Sequence, residues 1–386
     1  MVGIGLTLEG IHTNWITNEA LLSQGWQWFE GELDAWVAEF AHRRYSSQHA
    51  GIGTAWAHLA NFSEVSVYNG PRGEYFSSWG NTRSLVTRRP FWASGSATGW
   101  GPGTNDGDSA GFMGDAPRYN PKQLMKALRA LLAAAKAEPT LQQSRSLRVD
   151  VIDLSATMMA NLWILQITKL IRTTNGTMTT DSVLAVEKLA SQMIKGIAAT
   201  DVLLGSDPNY LLGSWITDAK SWATNKQASA LLEFNARNQV TLWGPALFTP
   251  SGSPGNPQDY GGKTWAGLFS SYYQPRQELF MSMLQDAVGA AAAQEGAVNF
   301  TKLAPAFTKK SVALELAFGL STTELASKPV GDTLEIAAAL LAEYGKLIEG
   351  STWCELRHLR ARQKQVQVNS ERAMPVRSGL FTWTCF

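Results

Sequence analysis

The first nine residues alternate strictly: Val2, Ile4, Leu6 and Leu8 share one face, and Gly3, Gly5, Thr7 and Glu9 the other. A period of two predicts a strand with one buried face and one nearly bare face, ending on a carboxylate. A strand needs a partner for its backbone groups, and no second strand pattern follows, so its sheet is expected to lie outside the pattern of this chain. Nearly everything afterwards has the helical period. Residues 121–136 set Leu124, Leu128, Leu131, Leu132 and Ala135 on one stripe, the mark of a helix with a single core-facing side. A long apolar helix is predicted over about 149–173, and one over 181–203 with Val186, Leu189, Met193 and Ile197 on one face. Near 333–349 the stripe is Ala337, Leu340, Leu341, Tyr344, Leu347 and Ile348, with Asp332 and Glu335 signalling its start and Gly350 its end. Further helices are expected near 14–24, 32–44, 50–66, 211–224, 227–239, 263–288 and 309–319. Two long loops interrupt the array: 69–118, rich in Gly, Ser and Asp, and 244–262, which holds four prolines. Loops of that length are either functional or disordered. No fixed-period repeat exists, which argues against a solenoid. The fold class is mainly α.

Composition agrees with a large packed core. The 386 residues are 45% hydrophobic and only 17% charged, and 33 basic against 32 acidic side chains leave a formal charge of +1. That balance excludes a nucleic-acid binder that works by phosphate neutralisation. The two cysteines, Cys354 and Cys385, are no disulfide framework, and the five histidines show no metal-ligand spacing, so neither a metal nor a cofactor is expected. There is no uninterrupted run of about 18 apolar residues, hence no expected membrane span, and the N-terminus lacks the basic region of a signal peptide. The stretch 354–386 is basic and aperiodic. Fifteen Trp fill a core or stack on sugar rings, and composition alone favours the core.

Glu9, at the C-terminal end of a buried strand, stands where barrel enzymes hold catalytic groups, and a carboxylate there suits a glycosidase nucleophile or base. The same spacing fits an exposed loop glutamate. Trp243-Gly244-Pro245 and Asp259-Tyr260 bracket the second loop; their aromatics either line a sugar site or anchor the loop. Sequons at Asn61, Asn175 and Asn299 are candidate N-glycosylation sites for a chain on the secretory route. Asn105-Asp106-Gly107-Asp108 lacks the remainder of a calcium loop.

Gly5-Leu6-Thr7-Leu8-Glu9-Gly10-Ile11 followed by Asn14 resembles a segment of the α-N-acetylglucosaminidases, glycoside hydrolase family 89. The resemblance continues in order through Trp36, Arg43-Arg44-Tyr45, Ala55-Trp56, Ser66-Val67-Tyr68-Asn69, Arg88-Arg89-Pro90 and Leu211-Leu212-Gly213-Ser214-Trp215. It runs on through Ala236-Arg237, Thr241-Leu242-Trp243-Gly244-Pro245, Tyr272-Tyr273-Gln274-Pro275-Arg276 and Gly331-Asp332-Thr333. It covers about 1–353. It implies that residues 1–30 are the last strand and helix of a (β/α)8-like catalytic barrel. Residues 31–353 would be the family's all-α C-terminal domain, and 354–386 a divergent tail. Glu9 would be the retaining nucleophile; Trp243, Tyr260 and Asn81, where relatives carry a histidine, would contact the sugar. The general acid/base falls on barrel segments before Met1, so the chain by itself is expected to be inactive. Gln277 stands in place of a tryptophan and Ala156 in place of an arginine. The implied substrate is a glycan with terminal α-linked GlcNAc of the heparan sulfate type, in a lysosomal or secretory setting. A non-catalytic carbohydrate-binding or scaffold protein derived from the same domain stays open, as does a homo-oligomer.

Overall fold

The computed structural model describes residues 3–6, 15–26, 33–60, 86, 90, 121–242 and 261–350. The described residues form twelve α-helices: α1 (Trp15–Ser23), α2 (Leu33–Tyr45), α3 (Ala50–Ala60), α4 (Pro121–Ala137), α5 (Pro139–Gln142), α6 (Arg145–Thr174), α7 (Thr180–Leu204), α8 (Leu212–Ser221), α9 (Lys226–Gln239), α10 (Gln274–Ala292), α11 (Phe300–Leu320) and α12 (Thr333–Glu349). A 3-10 turn, Pro208–Tyr210, leads into α8, and a π-turn, Phe269–Tyr273, leads into α10. The mainly α expectation holds. Of the expected first strand only residues 3–6 are described, and they join no ladder among the described residues. The β pairing there consists of two isolated bridges, Thr177 with Ala297 and Leu211 with Ala266.

The helices form because each lays an apolar stripe on its neighbours. α3 packs on α2 and α4, α4 on α6 and α12, and α7 on α6 and α10; α8 and α9 form a separate pair, while α11 joins α10 and α9. The stripe of α4 is fully buried at Leu124, Leu128 and Leu131, and that of α7 at Val186, Met193 and Ile197. α6 is long and apolar enough to cross a membrane by length and composition, but 78% of its apolar window is buried inside the molecule, as in a core helix.

Polar side chains fix the joints. Asp150 on α6 accepts from Arg44 Nε at 2.5 Å, Arg44 Nη2 at 2.6 Å and the Tyr45 hydroxyl at 2.7 Å, and the Trp56 indole donates to that hydroxyl at 2.9 Å. The Arg43-Arg44-Tyr45 motif thereby pins α2 and α3 to α6. Arg276 and Glu315, both fully buried, pair at 3.2 Å between α10 and α11; the Ser311 hydroxyl donates to the same carboxylate at 2.7 Å. From Ser321 to Asp332 the chain runs as a strap across the α8–α9 pair. Val330 N–H donates to Gly205 O at 2.9 Å, Arg237 Nη2 to Thr323 O at 2.8 Å, and the Ser214 hydroxyl to Ser327 O at 3.3 Å.

Candidate functional site

The loop carrying Trp243 and Tyr260 lies between two well-braced anchors. Its first anchor is the end of α9. There Arg237, 1% exposed, donates to Glu233 at 2.9 Å, and Lys220 donates to the same carboxylate at 2.8 Å. Burial alone would raise the Glu233 pKa, but these two cations hold it below the usual carboxylate range. The Arg237 guanidinium also lies 5.2 Å from the Phe318 ring centre, and the Thr241 hydroxyl donates to Arg237 O at 2.7 Å, closing the helix just before Trp243.

The second anchor is the segment 261–268; from 263 onward the sequence predicts helix, and the structure shows a bridge and a turn. Ala266 N–H donates to Tyr210 O at 2.7 Å and Leu212 N–H to Ala266 O at 3.1 Å, tying the segment to the entry of α8. Gly267 then takes φ +83°, a left-handed conformation that glycine adopts without a Cβ penalty. The Asp201 carboxylate, from the end of α7, accepts from Gly267 N–H at 2.8 Å and Ser270 N–H at 3.1 Å, satisfying the start of the π-turn. Burial raises the pKa of Asp201, which has only these neutral donors to offset desolvation. Lys263 has its pKa lowered by burial.

Trp215 joins the two anchors. Its indole donates to Ala236 O at 2.9 Å, and its ring lies 5.9 Å from that of Trp265. Trp215 remains 37% exposed and Trp265 is half-buried, so part of the aromatic surface of the pair faces solvent.

Beneath the second anchor is a small cleft lined by Ala156, Trp163, Gln166, Thr200, Thr264, Phe269 and others, with room for about one water. One sequence departure lines it, and a second is bonded to a residue of its wall. Ala156 is one of its walls, and the fully buried Gln277 donates Nε2 to the carbonyl of Val86, another wall, at 3.3 Å.

Of the residues singled out in the sequence, Glu9, Asn81, Trp243, Tyr260 and Asn61 lie outside the described residues. Asn175 and Asn299 are described and exposed: Asn175 caps the end of α6, and Asn299 caps the start of α11. Among the described residues no group of three or more His, Cys, Asp or Glu is placed to hold a metal ion. The Trp215–Trp265 pair and the Asp201 cap escape sequence reading, because their partners are far apart along the chain. Only the Leu211–Trp215 motif itself marks the first of them.

The model of the alpha-N-acetylglucosaminidase C-terminal domain matches residues 36–343. Human alpha-N-acetylglucosaminidase is 32% identical over 361 residues, which are 92% of this chain and 41% of the human protein. The chain thus spans about two fifths of the length of that curated relative. A Clostridium perfringens family 89 enzyme with Glu-to-Gln substitutions, in complex with its substrate GlcNAc-alpha-1,4-galactose, superposes with a TM-score of 0.68 at 20% identity, over 90% of this chain and 36% of that one. The family 89 glycoside hydrolase from the same organism holding 2-acetamido-1,2-dideoxynojirmycin gives 0.64 at 22% identity, over 89% and 35%. The two bacterial structures share the helical fold, and the extent of the domain match decides the membership: this chain belongs to the α-N-acetylglucosaminidase C-terminal domain family.

Proposed function

We propose that this chain supplies the helical part of an α-N-acetylglucosaminidase, a retaining glycosidase that removes terminal α-GlcNAc from heparan sulfate-type glycans. In this reading residues 1–30 close the catalytic barrel, 31–353 form the helical domain, and 354–386 are a divergent basic tail. Glu9 is the nucleophile: its carboxylate attacks the anomeric carbon to form a glycosyl-enzyme ester, and the leaving oxygen takes its proton from an acid/base carboxylic acid. By the resemblance, that second carboxyl belongs to the part of the relatives' length that these 386 residues do not match. Trp243, Tyr260 and Asn81 contact the sugar from the helical side, and the setting is lysosomal or secretory.

The observation that carries the reading is the domain match over residues 36–343. The two braced anchors support it, because a sugar contact on a loop is useful only when both ends of the loop are fixed. Turnover of an aryl α-GlcNAc substrate tests it. The 386-residue chain alone is expected to show none. A protein that joins it to the remaining family segments is expected to be active and to lose activity with Glu9→Gln; retention of activity in that variant would refute the assignment.

Trp215, 37% exposed beside the half-buried Trp265, favours a second reading, a carbohydrate-binding domain without catalysis. Saturable GlcNAc binding that is lost on Trp243→Ala, with no turnover in the joined protein, would select it.

A further inference from the structure

Two of the three sequons fall within the described residues, 124 positions apart along the chain, and the fold brings them side by side. Thr177, the last residue of Asn175-Gly176-Thr177, forms an antiparallel bridge with Ala297, two residues before Asn299. Met178 N–H donates to Gly296 O at 2.7 Å beside it. The turn after α6 and the turn before α11 therefore form one surface.

Both sites are open to modification. Asn175 and Thr177 are exposed, as are Asn299 and Thr301. Gly176 between the first pair has φ +104°, and a Cβ built on it meets nothing within 4 Å. Asn299 uses Oδ1 to accept from Lys302 N–H at 3.0 Å, capping α11. That cap leaves the amide nitrogen, the atom a sugar would take, outside the helix, so a glycan on Nδ2 and the helix cap are compatible.

The position of this surface is as informative as its exposure. α7 begins at Thr180, just after the first sequon, and ends at Leu204, beside the Asp201–Gly267 anchor of the candidate site. Its 25 residues, at about 1.5 Å each, put the two ends about 37 Å apart. α10 returns along it from the anchor and ends at Ala292, four residues before Gly296.

We infer that Asn175 and Asn299 are a paired N-glycosylation site at the end of α7 opposite the Asp201–Gly267 anchor. The donor is a lipid pyrophosphate-linked oligosaccharide. The Nδ2–C1 bond forms, the C1–O bond to phosphate breaks, Nδ2 loses a proton, and the lipid pyrophosphate leaves. The two oligosaccharides would keep this end in solvent. In its native cell the modification rests on the secretory setting of the proposed function; the structural compatibility does not.

The test is therefore separated from that setting and from catalysis. The full chain, given a leader peptide, is secreted from a eukaryotic host and treated with peptide-N-glycosidase in heavy-oxygen water, and its peptides are weighed. Labelled aspartate is expected at positions 175 and 299. Thr177→Val and Thr301→Val, which leave both asparagines and the cap in place, are each expected to remove one step of oligosaccharide mass. An unmodified Asn175 or Asn299 in the folded, secreted chain would overturn the inference. It would leave the glycosidase reading standing, since that is judged by turnover.

Discussion

At the scale of single residues, a close backbone approach explains a motif. A Cβ placed on Gly213 would lie 2.3 Å from Ala326 O and 2.4 Å from Leu325 O, both backbone atoms of the strap. Neither can rotate away, so the Leu211–Trp215 motif needs a glycine there to let the strap lie on α8. Gly213→Ala is expected to destabilise the fold by about 1–3 kcal/mol, the usual cost of overpacking, read as a lower urea midpoint with the helical signal unchanged. The Arg276–Glu315 pair makes a sharper prediction, since both partners are fully buried. Glu315→Ala leaves the arginine charge in the core and is expected to cost about 3–5 kcal/mol. Replacing both, as R276M/E315L, removes the stranded charge and is expected to cost much less. A double variant as unstable as the single one would show that the ion pair itself, rather than the avoidance of a buried lone charge, carries the stability.

Single elements differ in how far their own residues specify them. α12 was legible: Asp332 caps it, its carboxylate accepting from Leu334 N–H at 2.9 Å and Glu335 N–H at 3.0 Å, and Ala337, Leu340 and Ile348 are buried as their spacing requires. Asp332→Ala is expected to cost about 1 kcal/mol by chemical denaturation. Asp332→Asn keeps the cap, and it should lose little even though the 3.7 Å approach of Arg148 is weakened. Leu347 breaks the expected stripe at 57% exposure; Gly345 is buried on that side instead, beneath Met125 and Leu341. The predicted helix over 263–288 shows what a local pattern misses. Its apolar spacing is real from Phe269 onward, but the first residues are claimed by Leu211 and by Asp201, 66 positions away from Gly267. The candidate site follows the same division. Trp243 and Tyr260 drew notice as loop aromatics, and resemblance alone separated a sugar contact from a loop anchor. Trp215 with Trp265 has no signal of pairing along the chain, because only the fold brings α8 and segment 261–268 together.

For the whole molecule, the charged groups set the pH range in which the array holds. Two carboxylates bind their partners as anions: Glu233, held low by Lys220 and Arg237 against its burial, and Glu349, held low first by its hydrogen bonds to Arg129 between α4 and α12. A carboxylate with a depressed folded pKa contributes stability above its ordinary value of 4.5 and loses it as pH falls through the lower folded value. Asp201 works in the opposite sense. Burial raises its folded pKa, so the native state takes up a proton before the unfolded chain does, and stability from this group increases as pH falls from neutrality toward its ordinary value of 3.8. The two effects occupy different windows. Between neutrality and the ordinary carboxylate range Asp201 favours acid while both ion pairs persist; below that range the pairs dissolve and the sign reverses. The melting temperature of the chain is therefore expected to peak at mildly acidic pH. Asp201→Asn, which retains a side-chain oxygen for Gly267 and Ser270, should reduce the rise on the neutral side, to which the raised pKa of buried Asp150 also contributes, and leave the acid collapse in place. Glu349→Gln should soften the acid collapse and leave the neutral side unchanged. A maximum at or above neutrality in the unaltered chain, or a neutral limb indifferent to Asp201→Asn, would show that the Asp201 cap does not govern that limb. A peak in mild acid would suit the lysosomal setting proposed above, since the Asp201 anchor would then be firmest there.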